Sequence, residues 1–173
     1  MRKAILTILV VMVGCFACSC QKADSDIEWG NALLYMPQAN YDPYLVPNTG
    51  PIPTYELDMD SRILKVYLGV YRSGLQSLES YTVNLYSTQN KIKGTLMLDP
   101  KCYFFPLSVT CPDGKRDVSF CLEVNLDYLL QNKKNNFSIE IGIDSPSKYK
   151  LNESLSHTMV RINVAELVNK ENL

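Results

Sequence analysis

The sequence predicts an all-β chain, an antiparallel β-sandwich of about seven to nine strands behind an N-terminal signal segment. Three observations predict it. Apolar residues recur with period two in stretch after stretch, clearest in Val118, Phe120, Leu122, Val124 and Leu126. Clusters of Pro, Gly, Asn and Asp separate those stretches, and no long apolar pattern of period 3.6 interrupts them.

Taken in order, the chain opens with Arg2 and Lys3, an apolar run from Ala4 to Val13, and then Gly14-Cys15-Phe16-Ala17-Cys18-Ser19-Cys20. The run is too short to span about 30 Å of hydrocarbon, and its basic start and small residues before a cysteine read as a lipoprotein signal. Ala17 and Ser19 sit three and one residues before Cys20, which makes Cys20 the expected lipidation site, with Cys18 the alternative. The expected organisation is a signal peptide over 1–19, a tether over 20–31, the sandwich domain over 32–164 and a C-terminal tail over 165–173 with at most one frayed helical turn.

Within the domain, Ala32 to Met36 reads as an edge strand stopped by Pro37. Residues 38–54, with Pro43, Pro47, Gly50, Pro51 and Pro53, read as a long surface connection. Strands are expected at 55–59, 63–71 and 81–86, the last with Tyr81, Val83 and Leu85 on one face. Two short pieces follow at 103–106 and 107–111, and Asp113-Gly114 reverses the chain into the row from Val118. Asp127 is the expected cap of a helical turn at 127–131. Residues 137–143 and 158–164 supply the last strands.

Composition narrows the function classes. The chain has 17 Lys+Arg and 18 Asp+Glu; subtracting Arg2 and Lys3 leaves 15 against 18, a mature charge near −3. No basic cluster combines with spaced aromatics, so nucleic acid is not an expected partner. Three of the six cysteines belong to the signal. Cys102, Cys111 and Cys121 remain, an odd set for an oxidising compartment; a hairpin could bring Cys111 opposite Cys121, but packing thiols are the leading reading. No metal or cofactor site is expected, because His157 is the single histidine and no C-x-x-C follows the signal.

Several segments resemble a domain-of-unknown-function family that forms the N-terminal module of Bacteroides-type surface lipoproteins. They are Tyr35-Met36-Pro37-Gln38-Ala39, Gly69-Val70-Tyr71-Arg72-Ser73-Gly74, Val109 to Lys115, and Leu151-Asn152-Glu153-Ser154. The resemblance covers about residues 32–164, though Cys111 stands where the family usually has a β-branched residue. It implies an immunoglobulin-like sandwich, sometimes joined to family-18 glycosidase-like or carbohydrate-binding domains, and carries over no catalytic residue.

The residues themselves supply no catalytic set. His157 follows Ser156 directly, and adjacency alone makes no nucleophile and base. Asp58-Met59-Asp60-Ser61 lacks the further acid and glycine of a calcium loop and reads as a solvated strand end. Asn136-Phe137-Ser138 and Asn152-Glu153-Ser154 match a glycosylation sequon without functional weight. The aromatic residues Trp29, Tyr35, Tyr41, Tyr44 and Tyr55 cluster around the Pro-rich loop. Tyr41, Tyr44 and Tyr55 with Asn40, Asp42 and Asn48 form the candidate glycan-binding set, since rings stack on sugar C–H faces and amides bind hydroxyls. The competing reading is that these rings only staple the loop to the sandwich.

The expectation is therefore a non-catalytic, lipid-anchored module at the outer membrane or cell surface. Its partners would be the membrane through its lipid, and glycans or other surface proteins. The alternative is a structural subunit of an adhesin or fimbria-like assembly using a sheet edge, and a small glycosidase is the third possibility.

Overall fold

The computed structural model describes residues 32–51, 53–74 and 78–173. The expected signal and tether, with Cys18, Cys20 and Trp29, lie outside them. The described strands are β1 (Leu33–Tyr35), β2 (Tyr44–Val46), β3 (Tyr55–Asp58), β4 (Ile63–Arg72), β5 (Tyr81–Thr88), β6 (Leu96–Met97), β7 (Tyr103–Phe104), β8 (Ser108–Cys111), β9 (Asp117–Asn125), β10 (Asn136–Asp144), β11 (Lys150–Leu151) and β12 (His157–Asn163). Among the described residues two α-helices, α1 (Leu126–Gln131) and α2 (Val164–Glu171), follow β9 and β12. Three of the strands are two-residue pieces that paired backbone creates and no side-chain alternation announces.

The strands form two sheets, an all-β sandwich as the patterning predicts. In the first sheet, β4 and β9 run antiparallel from Ile63↔Asn125 to Tyr71↔Asp117. The far edge of β4 is shared by β3 and β1, β11 flanks β1, and β7 flanks β9. In the second sheet, β10 lies between β12 and β5, with β2 beyond β12 and β8 beyond β5; β6 shares the β5 edge of β10. The long ladders are antiparallel, whereas β1–β11, β2–β12 and β6–β10 are short parallel pairs.

Alternation decides which rows meet. Leu64, Val66, Leu68, Phe120, Leu122 and Val124 face inward from the first sheet, and Val83, Leu85, Ile139, Ile141, Val160 and Ile162 from the second. Each such side chain contributes roughly 1.5–3 kcal/mol on leaving water. The outer faces keep the polar partners of each row. On the second sheet Gly142 lies opposite Tyr86, whose ring covers it so closely that a Cβ there would fall 2.3 Å from Tyr86 Cζ.

Several expectations change. Ala32–Met36 is no bare edge, because β1 has neighbours on both sides. The Pro-rich connection contains the 3₁₀ turn Pro37–Asn40 and β2, whose Tyr44 and Val46 are buried, and β2 forms an edge of the second sheet. Asp113-Gly114 turns the chain between sheets, from β8 into β9, so Cys111 and Cys121 are not hairpin neighbours. Cys111 is buried inward, Cys121 sits on the outer face beside Ser119 and Glu123, and Cys102, Cys111 and Cys121 are free thiols.

The helix ends also differ. Asn125, not Asp127, caps α1, its Oδ1 accepting from Tyr128 N at 2.8 Å, while Asp127 pairs with Arg62 at 2.7 Å. The tail forms eight-residue α2 instead of one turn. Asn163 caps the helix, its Oδ1 accepting from Glu166 N at 3.2 Å, and its Nδ2 donates to Glu166 Oε2 at 3.0 Å. Burial of Leu167 then holds the helix on the sandwich.

Leu122→Ala, in the middle of the inner row, is expected to lower unfolding free energy by about 2–5 kcal/mol in urea titrations. Leu45→Ala, on the exposed side of β2, is expected to change it by less than about 0.5 kcal/mol.

Candidate functional site

The run Tyr67-Leu68-Gly69-Val70-Tyr71 places Leu68 and Val70 in the core and turns Tyr67, Gly69 and Tyr71 outward. β3 pairs with β4 up to Val66, and β1 resumes at Tyr71. Between them no described strand lies beside the β4 edge. Its backbone groups are met by loop and side chain: Tyr67 N donates to Thr54 O at 3.0 Å, Tyr44 OH donates to Tyr67 O at 3.4 Å, and Gly69 N donates to Gln38 Oε1 at 3.2 Å.

This break in the sheet edge is a groove of about 520 Å³. Pro37 and Gln38 form one wall and Pro53 and Thr54 another, while Tyr67 and Tyr71 flank Gly69, and Asp117 and Ser119 of β9 close the far rim. Gly69 keeps the floor low. A Cβ there would lie 3.3 Å from Val118 O and 3.9 Å from Ser119 Oγ.

The rings are held in place. Tyr71 packs against Tyr35 with centroids 5.4 Å apart and planes tilted by 53°. Tyr67, 37% exposed, donates its hydroxyl to Glu56 Oε2, and that bond, with burial second, raises the phenol above its ordinary range. Burial and then the neighbouring Tyr71 raise Tyr35. On the same outer face Lys65 Nζ lies 2.9 Å from Asp58 Oδ2. The bonds from Ser61 and then Lys65 hold the Asp58 carboxyl well below the usual carboxylate range. Asp58 is thereby committed to its strand end, as its sequence context suggests.

Of the six predicted glycan contacts, Tyr44 alone lines the groove. Tyr41 is 62% exposed, its ring 6.0 Å from that of Tyr44. Asn40 turns its amide back onto Pro37 O at 3.0 Å, and Asp42 is exposed beside Tyr41. Tyr55 and Asn48 serve the stapling role instead. Tyr55 is 6% exposed and donates to Glu171 Oε1 at 2.5 Å, with Lys170 Nζ 5.5 Å from its ring centroid. Asn48 Oδ1 accepts from Thr54 N at 3.4 Å, and Asn48 O accepts from Lys170 Nζ at 3.2 Å. Together they clasp the Pro-rich loop onto α2.

Tyr67, Gly69, Tyr71, Gln38, Asp117 and Ser119 escape the sequence reading as a site. One signal pointed to them: a glycine inside a strong strand, flanked two residues each way by tyrosines, marks a close approach or a depression on the sheet face. Ser156 and His157 gain no catalytic geometry. Ser156 Oγ donates to Glu153 O at 2.9 Å and lies 3.5 Å from His157 Nδ1. Among the described residues no group of three or more His, Cys, Asp or Glu side chains is arranged to hold a metal ion.

The clasp gives a pH signature. Burial first, then the bond to Glu171, pushes the Tyr55 phenol above its ordinary value near 10. A folded-state pKa above the unfolded one contributes stability that is intact below about pH 10 and lost as pH rises, because the unfolded chain ionises first. Tyr55→Phe is therefore expected to lose about 1 kcal/mol at neutral pH and to show a shallower decline above pH 10, read by urea titration at both conditions.

No protein-family model and no curated protein matches the chain. Solved structures do. A candidate carbohydrate binding protein from Bacteroides ovatus ATCC 8483 is similar at 11% identity and a TM-score of 0.52, over 75% of this chain and 36% of that one. A protein of unknown function from Bacteroides ovatus is similar at 12% identity and a TM-score of 0.50, over 75% of this chain and 46% of that one. The apo-form Calx CBD1 domain is similar at 17% identity and a TM-score of 0.47, over 77% of this chain and 96% of that domain. The chain thus spans less than half the length of the two Bacteroides ovatus proteins, and their likeness establishes a shared sandwich fold.

Proposed function

We propose that the chain is a non-catalytic binding module that captures glycans in the groove over Gly69. The observation that carries the reading is the placement of two outward tyrosines on either side of a side-chain-free floor, with Gln38, Asp117 and Ser119 at its rim. Rings offer faces to sugar C–H groups, and amide, hydroxyl and carboxylate groups fix orientation. Hydrolysis of a glycosidic bond uses two carboxyls across the bond, roughly 5–9.5 Å apart. Asp117 is the one carboxylate among the described lining residues. The Bacteroides ovatus likenesses and the segments resembling surface-lipoprotein domains support the same reading. In it, Cys20 carries the lipid and the module works at the outer membrane or cell surface, where tethering keeps a captured polymer close to the cell.

The alternative of an adhesin or fimbria-like subunit would use an exposed sheet edge. The outer edge of β8 offers four residues bracketed by Pro106 and Pro112, a poor template for another strand. That favours the groove.

Isothermal titration with soluble polysaccharides tests the reading. Tyr67→Ala and Tyr71→Ala are each expected to weaken binding by about tenfold or more, while Tyr41→Ala changes it by less than about twofold. Loss confined to Tyr41→Ala would move the site to the Pro-rich loop. Metabolic labelling with a fatty acid is expected to mark the wild-type chain and not Cys20→Ser; label retained on that variant would shift the anchor to Cys18.

A further inference from the structure

We infer that the groove selects neutral over anionic glycans, an inference that rests on the glycan-capture reading. The argument is the distribution of charge around the floor. Among the described residues that line the groove, Asp117 is the one charged side chain, and no lysine, arginine or histidine joins it. It stands exposed at the rim, two residues before Ser119 and opposite Tyr71 in the β4–β9 ladder.

The cations of the surrounding strands are held by other groups. Lys65 pairs with Asp58 at 2.9 Å, Arg62 with Asp127 at 2.7 Å, and Arg116 Nη1 donates to Gly74 O at 2.6 Å. Arg72, at the inward end of β4, is fully buried with Nη1 2.9 Å from Tyr149 OH. Further carboxylates occupy the same outer face: Glu56, which accepts the Tyr67 hydroxyl, and Glu123, cross-strand from Lys65.

A uronate or sulfate entering this groove would leave water without gaining the guanidinium or ammonium partner that makes such groups bind, and it would approach Asp117. A neutral pyranose meets no such penalty. Its hydroxyls donate to the Asp117 carboxylate and exchange hydrogen bonds with Ser119 and the Gln38 amide, while its C–H face lies on Tyr67 or Tyr71. Like charge at the rim thus works as rejection, and the rings flanking the floor as attraction.

The test is a titration panel on the full-length chain, with galactomannan, xyloglucan and mixed-linkage β-glucan as neutral probes and polygalacturonate and chondroitin sulfate as anionic ones. At least one neutral polymer is expected to bind, with little response to salt, and the anionic ones to bind about tenfold or more weaker. Asp117→Lys is expected to shrink that ratio. Ser119→Leu, which fills the groove from an exposed position, is expected to weaken neutral binding about tenfold with the circular dichroism spectrum and Tm retained. Gly69→Val fills the same space from the floor. Equal binding of both classes, with a ratio indifferent to Asp117→Lys, would overturn the selectivity and leave glycan capture standing. Neutral binding undiminished in Ser119→Leu and Gly69→Val would place the site elsewhere and overturn the inference. If no polymer of either class binds, glycan capture fails and the selectivity falls with it.

Discussion

The β4–β9 ladder is the constraint on which the rest of the structure depends. Its pairing from Ile63↔Asn125 to Tyr71↔Asp117 fixes one register, and a slip of a single residue would turn Leu64, Val66, Leu68, Phe120, Leu122 and Val124 out to solvent. The same register sets the outer face. Tyr67, Gly69 and Tyr71 are brought alongside Cys121, Ser119 and Asp117 because their neighbours must be inside. The groove is therefore a by-product of core packing.

The opposite edge of β4 shows how the chain tolerates a missing neighbour. A central strand with an unpaired stretch would leave buried or half-buried amides unsatisfied, at a cost of about 1–3 kcal/mol each. Thr54, Tyr44 and Gln38 meet those groups, and two of the three act through side chains carried on the Pro-rich connection. Irregular backbone is thus tied to regular backbone, and the tie leaves a depression where a continuous sheet would have left a flat face. α2 completes the arrangement by holding the same connection through Tyr55, Asn48, Lys170 and Glu171.

The aromatic content of the loop then divides by physical role. Tyr44 and Tyr55 bury their rings and use their hydroxyls inside the fold, Tyr41 stays in solvent, and Tyr67 and Tyr71 on the strand border the groove. Clustering in sequence is a poor guide to clustering in space when the segment is irregular, because no period ties position to direction. On a strand the period of two does so, which is why the strand tyrosines form a defined face.

The long strands, their inward faces and the sandwich architecture were legible from the sequence, since period-two burial is local in sequence and forced by the hydrophobic effect. The two-residue strands β6 and β11, the turn that carries Cys111 and Cys121 into different sheets, and the gap beside Gly69 were decided by the tertiary structure. Each depends on which strand lies next to which, a matter of pairing between residues far apart in the chain that no local pattern encodes. The sequence by itself determined that these residues alternate; the pairing of β4 with β9 decided that Gly69 and Tyr71 would lie beside Ser119 and Asp117 in an open groove.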